Sequence, residues 1–546
     1  MLSLEENYED LRQRFRWSIP DYFNIGVDVC DKWADVDPDR LALIHVEDDG
    51  ALSQLTFCEL QALSNQVCNL LRALSVSNQD RVGILLPQSL ETAYTHIAIY
   101  KIGAIAVPLS NLFGTDALEY RLHNCTAKAV ITNLDGAEKL SSIRHKLPDL
   151  KHILVTDGSG DGYIDFHLEL ARQDQRFDPV RTRADDPSLI IYTSGTTGPP
   201  KGALHAHRVL LGHLPGVEMS HNFLPQPGDR FWTPADWAWI GGLYDVLMPA
   251  LHHGTTVVSH RFSKFDPERA FELMADFKIR NAFLPPTALR MMRTITEPTK
   301  RWDLNVRSIA SGGESLGSNL LEWGERTFGL VINEFYGQTE CNMIVSNMTS
   351  IMRHKPGVMG RAVVGHEIAL VDDHGDRVEC GNLGKIAVMR PDPAMFLSYW
   401  NDPVATANNF VGDWMLTGDE GIEDAEGYIQ FVGRNDDIIS SAGYRIGPGE
   451  IEDCLLGHSA IKIAAVVGVP DAVRNMLIKA FVVLNEGEKA SKSLEKDIQA
   501  FVKKRLAAHE YPRQIEFVES LPMTTTGKLI RRALRDHPEN VWPDKS

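Results

Sequence analysis

Residues Tyr192 to Gly202 read Tyr-Thr-Ser-Gly-Thr-Thr-Gly-Pro-Pro-Lys-Gly, the densest concentration of potential chemistry in the chain. Thr193, Ser194, Thr196 and Thr197 supply hydroxyl donors, and Lys201 supplies a cation. Gly195 and Gly198 free the backbone to turn its N–H groups inward as an anion nest. That chemistry suits phosphate oxygens. The spacing Gly195-x2-Gly198-x2-Lys201 is not that of a Walker A loop, which has a four-residue gap and ends Gly-Lys-Ser/Thr. Most Ser/Thr/Gly/Pro clusters are ordinary surface loops. Here the apolar, branched run Leu189-Ile190-Ile191-Tyr192 leads into the cluster as a buried strand would, which favours phosphate binding.

Four further stretches carry groups of interest, each with a plainer reading beside it. Ser311-Gly312-Gly313-Glu314 follows the strand-like Arg307-Ser308-Ile309-Ala310, and paired glycines let a flat ligand lie on bare backbone, although a tight turn has the same pattern. Asn333-Glu334-Phe335-Tyr336-Gly337-Gln338-Thr339-Glu340 combines a stacking face, a space at Gly337, and a hydroxyl beside a carboxylate. A carboxylate near a phosphate cradle suits magnesium, a hard cation that prefers oxygen ligands; a buried strand end with an exposed acid is the alternative. Trp414 to Gly421 sets Asp419 on a glycine-flanked turn fit to grip a ribose diol, or forms a simple β-hairpin. Pro522-Met523-Thr524-Thr525-Thr526-Gly527-Lys528 places a lysine on a flexible loop, where a lone lysine is usually just solvated. His205-Ala206-His207 and His252-His253 have metal-like spacing without an open carboxylate partner, and read as structural. Leu456-Gly457-His458-Ser459 lacks the second glycine of a carrier attachment site and falls in a predicted helix.

The elements that must position these residues follow two textures. Residues 80–109 read strand, helix, strand, and the alternation returns at 127–132, 152–155, 254–258 and 281–284. This is the pattern of an α/β protein with helix-covered parallel sheets. Past residue 433 the segments become shorter and more charged: a helix over 449–457, strands over 463–467 and 479–483, a helix from Ser493, a strand over 515–518 and a short basic helix. Leu494, Ile498, Phe501, Val502 and Leu506 share one face of the helix from Ser493. The expected organisation is a large domain over 1–433, a polar hinge at 434–436 and a small α+β domain over 437–546.

Bulk properties narrow the function. The 546 residues carry 55 Lys and Arg against 73 Asp and Glu, a net charge of −18, which argues against a nucleic-acid partner. The 7 cysteines form no Cys-x-x-Cys pair, so neither a disulfide framework nor a zinc site is suggested, and a reducing cytoplasm fits. The acidic N-terminus lacks a signal pattern. The longest apolar region, Ile97 to Leu109, is broken by Lys101 and falls short of the about 20 residues that span a bilayer. A soluble, cytoplasmic protein without a membrane partner is expected.

In this order the motifs resemble those of the adenylate-forming (ANL) superfamily, and most of all its AMP-forming medium-chain acyl-CoA synthetases. The resemblance runs from about residue 30 to 535; its most specific parts are the opening loop and the hinge motif Phe431-Val432-Gly433-Arg434-Asn435-Asp436-Asp437-Ile438-Ile439 with Ser441-Ala442-Gly443-Tyr444-Arg445-Ile446. It implies a large N-terminal adenylation domain with a small mobile lid. It implies that Thr193, Ser194, Gly195, Thr196, Thr197, Gly198 and Lys201 hold ATP phosphates, and that Gly312, Gly313, Glu314, Glu334, Phe335 and Tyr336 frame the adenine. Thr339 would touch the α-phosphate, Glu340 would bind Mg2+, Asp419 and Arg434 would hold the ribose, and Asp436 would be the hinge. Lys528 would serve adenylation, and Gly443, Tyr444 and Arg445 would approach CoA. Trp239, Gly241 and Gly337 would line the acyl pocket. In acetyl-CoA synthetases of this family a tryptophan stands at the place of Gly337 and shortens the pocket, so glycine implies a medium-length, branched or aromatic acid.

The chemistry fits these residue types. Exchange of a carboxylate's poor leaving group for AMP gathers negative charge, which a metal ion and a lysine stabilise. Alternatives are an enzyme loading a carrier protein, and a regulatory nucleotide-binding protein with a degenerate site; retention of Glu340 and Lys528 speaks against the latter. The resemblance also implies that a protein acetyltransferase acts on Lys528, removing the charge that adenylation needs. Homo-oligomerisation is left open.

Overall fold

The structure, a computed structural model, describes residues 1–546 except 159, 161, 194–198, 315, 435–436, 442–443, 472–474, 507–510, 525–528 and 537–546, and the backbone alone at 440, 444, 445 and 475. Two large sheets organise the first three quarters of the chain. One has nine strands, with Arg361–Ala362, Cys341–Ser346 and Asn333–Gln338 at one edge and Leu41–Val46 and Leu52–Thr56 at the other. The other has eight, running from Ser398–Tyr399 through Lys201–Ala206, Pro187–Thr193, Ile105–Pro108 and Arg81–Leu85 to Ile164–Asp165. Their central pairings are parallel, as the strand–helix–strand alternation predicts.

Helices Leu90–Lys101 and Val209–Ser220 are buried on every side, because they lie between the two sheets rather than on a surface. One apolar cluster joins Leu43, Phe231 and Val257 of the nine-stranded sheet to Val82, Ile84, Leu189 and Ile191 of the eight-stranded sheet through these helices. Amphipathic helices such as Pro267–Asp276 and Ser318–Phe328 cover the outer face of the nine-stranded sheet. Thr115–Asn124 and Leu134–Ile143 cover the eight-stranded one.

A five-stranded antiparallel sheet follows, in which Trp414–Glu423 pairs with Leu383–Met389 and with Ile429–Arg434. Arg434, expected to open the hinge, is the last residue of strand Ile429–Arg434 of this sheet. The last quarter of the chain builds its own sheet from Ile439–Ser441, Tyr444–Ile446, Ile461–Asp471, Asn475–Leu484 and Gln514–Phe517, packed on helices Pro448–Leu456 and Lys492–Arg505 with a separate core. Leu456-Gly457-His458-Ser459 sits at the end of the first of these helices, not within it. No helix among the described residues is long and apolar enough to cross a membrane.

Candidate active site

Strands Pro187–Thr193 and Lys201–Ala206 pair antiparallel with Thr193 opposite Lys201. The connecting loop therefore starts and ends at one point on the sheet, which is what a phosphate loop needs. Ser194, Gly195, Thr196, Thr197 and Gly198 lie outside the described residues. Thr193 Oγ1 donates to the Lys201 carbonyl at 3.4 Å.

Glu340 reaches the same place by a long route. Thr339 and Glu340 are the two-residue turn between strands Asn333–Gln338 and Cys341–Ser346, with Gln338 opposite Cys341. The segment after Asp392 then stitches this turn to strand Lys201–Ala206: Phe396 N donates to the Glu340 carbonyl at 2.8 Å, Leu397 N to the Leu204 carbonyl at 2.7 Å, and Trp400 N to the Gly202 carbonyl at 2.7 Å. Between them Tyr399 turns inward. Its hydroxyl donates to Glu340 Oε1 at 2.6 Å, and the Lys201 ammonium lies 5.1 Å from its ring centre. Tyr399 and Glu340 are each 7% exposed. Burial and the Glu340 charge both raise the Tyr399 hydroxyl pKa, so it remains a proton donor. Among the described residues Glu340 Oε2 accepts no hydrogen bond. An inward carboxylate with one oxygen pinned and the other unused, beside a lysine, fits a phosphate-bound magnesium ion.

On the other flank, Gly312 ends strand Ser308–Gly312 and Gly313 adopts φ +94°. A Cβ at Gly312 would lie 2.7 Å from both the Phe335 ring and its carbonyl, so glycine is required by the closeness of two strands. Glu314 is bonded by Arg290 at 2.7 Å. Glu334 Oε1 accepts from Leu316 N at 3.4 Å; burial pushes its acid up to about 7, and the Asp453 carboxylate adds to the rise. The Tyr336 hydroxyl donates to Asp419 Oδ2 at 2.5 Å, and Arg434 Nε lies 3.4 Å from Asp419 Oδ1.

Asp419 does not sit on a hairpin turn. It lies inside the ten-residue strand Trp414–Glu423, where Gly418 at φ +77° and a register shift against Leu383–Met389 make a bulge that aims the acid sideways.

Trp239, Gly241 and Gly337 border a third region. Trp239 packs edge-on to Phe113 at 5.8 Å. Gly241 and Gly337 keep some solvent exposure, and the rings of Phe283 and Phe335 pack 5.4 Å apart nearby. The geometry corrects the pocket reading of Gly337 in one respect. A Cβ there would lie 2.3 Å from Met343 N and 2.8 Å from Asn342 Cα, so the missing side chain makes room for neighbouring backbone. A tryptophan at this position has to displace the turn that carries Glu340 before it fills anything.

The small C-terminal unit touches this site through helix Pro448–Leu456. A Cβ on Gly317 would meet the Asp453 carboxylate at 3.1 Å, and burial pushes that carboxyl up to about 6. Asp437, just past the expected hinge, is bound by Arg535 at 2.6 Å, and Arg531 bonds Glu452 at 2.6 Å. Asp436, Gly443 and Lys528 lie outside the described residues, as do the side chains of Tyr444 and Arg445, whose backbone forms strand Tyr444–Ile446.

The histidine pairs are not gathered into a metal site. His205 and His207 are fully buried, and burial lowers each imidazole to about 3. Among the described residues no group of three or more His, Cys, Asp or Glu is arranged to hold a metal ion. Sequence reasoning missed Tyr399 altogether: a tyrosine in the apolar, aromatic run Met395-Phe396-Leu397-Ser398-Tyr399-Trp400 reads as core, and its place comes from pairing with residues 203 and 204.

Comparison with known proteins adds a separate line of evidence. Residues 30–400 match the model of the AMP-binding enzyme family, and residues 450–528 match that of the AMP-binding enzyme C-terminal domain. The chain is 34% identical over 547 residues to the acetyl-coenzyme A synthetase of Bacillus subtilis (strain 168), covering 97% of this chain and 95% of that protein. It is 34% identical over 535 residues to the mitochondrial acyl-coenzyme A synthetase ACSM4 of Homo sapiens, covering 95% and 91%. Its structure superposes on that of the anthranilate CoA ligase AuaEII in complex with anthranoyl-AMP with a TM-score of 0.87 at 30% identity, over 95% of this chain and 98% of that one.

Proposed function

Given that the chain belongs to the AMP-binding enzyme family and is an AMP-forming acyl-CoA synthetase, we propose that it activates a medium-length, branched or aromatic carboxylate, through the residues gathered around Tyr399. ATP and CoA are its co-substrates, and magnesium is usual in the family. A carboxylate oxygen attacks the α-phosphorus of ATP, the bond to the β-phosphate breaks, and pyrophosphate leaves. The thiol sulfur of CoA then attacks the acyl carbon, losing its proton, and AMP departs.

The observation that carries the assignment of roles is the meeting of Lys201 and Glu340 at Tyr399, the first over its ring and the second at its hydroxyl. Lys201 neutralises the phosphate oxygens that will leave, together with Thr193 and residues 194–198. Glu340 is the residue to hold magnesium, which when bound spreads the charge developing on the phosphates. Tyr336, Gly312 and Gly313 make the flat adenine face, and Asp419 with Arg434 receives the ribose. The Tyr336 hydroxyl donates to one Asp419 oxygen, so a ribose diol shares that carboxylate with it. Lys528 completes the charge at the α-phosphate, and a lid hinged at Asp436 brings Gly443, Tyr444 and Arg445 to CoA for the second step.

For the acid, the part-exposed Gly241 beside the Phe283 ring supports a flat or branched acyl group. Relatives span acetyl-coenzyme A synthetase and anthranilate CoA ligase, so similarity alone does not choose. Pyrophosphate release over acetate, butyrate to octanoate, branched acids and benzoates, with and without CoA, tests the reading. Turnover of hexanoate- or benzoate-sized acids above acetate supports it. A preference for acetate overturns the pocket assignment, and release that never responds to CoA overturns the acceptor.

A further inference from the structure

Directly behind Gly241 lies a polar cluster that adenylation does not use. Asp245 sits in the turn Leu243–Leu247, His213 in the buried helix Val209–Ser220, and Asn342 two residues past Glu340. They are 3%, 0% and 4% exposed. Asn342 Nδ2 donates to Asp245 Oδ1 at 2.6 Å, and His213 Nδ1 is 3.6 Å from the same oxygen. Among the described residues neither ring nitrogen of His213 has a hydrogen-bond partner. Among the described residues Asp245 Oδ2 accepts no hydrogen bond either, and it lies 3.5 Å from the place a Cβ on Gly241 would take. Interior polar groups are nearly always paired, and leaving the His213 ring idle costs free energy.

The idle oxygen faces the proposed acyl region. The Gly241 Cβ position is bounded by the Phe283 ring at 3.0 Å on one side and by Asp245 Oδ2 on the other. The Asn342 amide oxygen in turn stands 2.7 Å from the corresponding position on Gly337. An apolar wall and a carboxyl therefore meet at a glycine that leaves the way between them open. Burial raises the Asp245 carboxyl, while His213 and Asn342 pull it back. A hydroxyl or amine both donates and accepts, so it pairs with that carboxyl in either protonation state.

We propose that Asp245, supported by Asn342 and His213, is a specificity determinant that selects a carboxylic acid bearing a hydroxyl or amino group on its acyl body, the polar group hydrogen-bonding to Asp245 Oδ2. The inference rests on the acyl-CoA synthetase reading and narrows its substrate class. Sites built around a substrate hydrogen bond reject the analogue that lacks it by up to ~10⁴–10⁵-fold, and a neutral pair in a partly wet groove gives about 10–100-fold.

The test compares kcat/KM for CoA-dependent pyrophosphate release within matched pairs: 3- and 4-hydroxybenzoate and the aminobenzoates against benzoate, and 6-hydroxyhexanoate against hexanoate. The wild-type protein should favour a polar member of at least one pair by tenfold or more. Asp245→Leu should abolish or invert that preference while improving turnover of the apolar member, and Asp245→Asn, which keeps an acceptor oxygen, should retain part of it. No preference in the wild-type protein overturns the proposal without any variant having to fold. Equal loss on both members in an Asp245→Leu protein that melts like the wild type overturns it too. If no acid in the panel supports release, the synthetase reading fails; if apolar acids turn over and polarity makes no difference, only this inference fails.

Discussion

Tyr399→Phe removes one oxygen atom from the centre of the site and leaves the ring in place. Lys201 keeps its aromatic neighbour at 5.1 Å, whereas Glu340 Oε1 loses the donor at 2.6 Å. With both partners 7% exposed, little water is at hand to replace the bond. A hydrogen bond to a charged group contributes about 1.5–3 kcal/mol, and leaving the acceptor buried without a partner forfeits that range. If the hydroxyl fixes the carboxylate in the orientation that the transition state needs, the same energy enters the barrier, which lowers kcat by ~10–150-fold at about 1.4 kcal/mol per decade. Pyrophosphate release at saturating ATP reads this directly. A second readout separates orientation from mere folding: the magnesium concentration for half-maximal ATP binding, measured by calorimetry without the acyl acid, should rise by a similar factor. KM for ATP at saturating magnesium should change little, because Lys201 is untouched. Wild-type kcat and magnesium dependence in Tyr399→Phe, or a fall in melting temperature with neither kinetic change, refutes the reasoning.

Other perturbations follow from the same geometry. Burial raises Glu334 to about 7 and Asp453 to about 6 in the folded protein, from ordinary values of 4.5 and 3.8, so the stability they contribute is full below about pH 4 and is lost as pH rises through 6–7. Melting temperature should therefore rise when pH falls from 8 to 5.5, and Glu334→Gln with Asp453→Asn should flatten that slope. Arg531→Ala takes the cation from Glu452, which keeps the bond from Val466 N and only 13% side-chain exposure; the cost should fall between the ~1 kcal/mol of a surface pair and the ~3–5 of a buried one, read as early melting or proteolysis of the C-terminal unit. Gly337→Ala, with a Cβ 2.3 Å from Met343 N, should destabilise by about 1–3 kcal/mol and lower activity on every acid alike, which thermal melts and the acid panel check. Lys528→Ala should cripple adenylation yet spare thioester formation from supplied acyl-adenylate, and equal loss in both half-reactions speaks against the proposed role of Lys528.

What was legible in the sequence was whatever is encoded locally. Branched runs ahead of glycine-rich turns marked strands Pro187–Thr193 and Ser308–Gly312, because a buried parallel strand must be apolar on both faces and a ligand loop at its end must be small and polar. The texture of the segments after residue 433 is likewise local, and an apolar cluster of their own joins residues between Ile439 and Phe517. Residues whose meaning is set by pairing were not legible. Gly418 reads as a turn until its strand is seen to bulge against a neighbour 30 residues upstream, and Gly337 reads as empty space until Met343 is seen to need it. Tyr399 and Asp245 are the extreme cases. Nothing in Leu-Ser-Tyr-Trp or Leu-Tyr-Asp-Val states that one hydroxyl will hold Glu340, or that one carboxyl oxygen will face Gly241. Both contacts arise where strands distant in sequence are brought into register, so the residues tied most closely to a motif need not belong to it. A short motif can specify the loop that binds phosphate because backbone N–H groups do most of that binding. It cannot specify the acid to be activated, because that choice is made by side chains the sheets deliver from elsewhere.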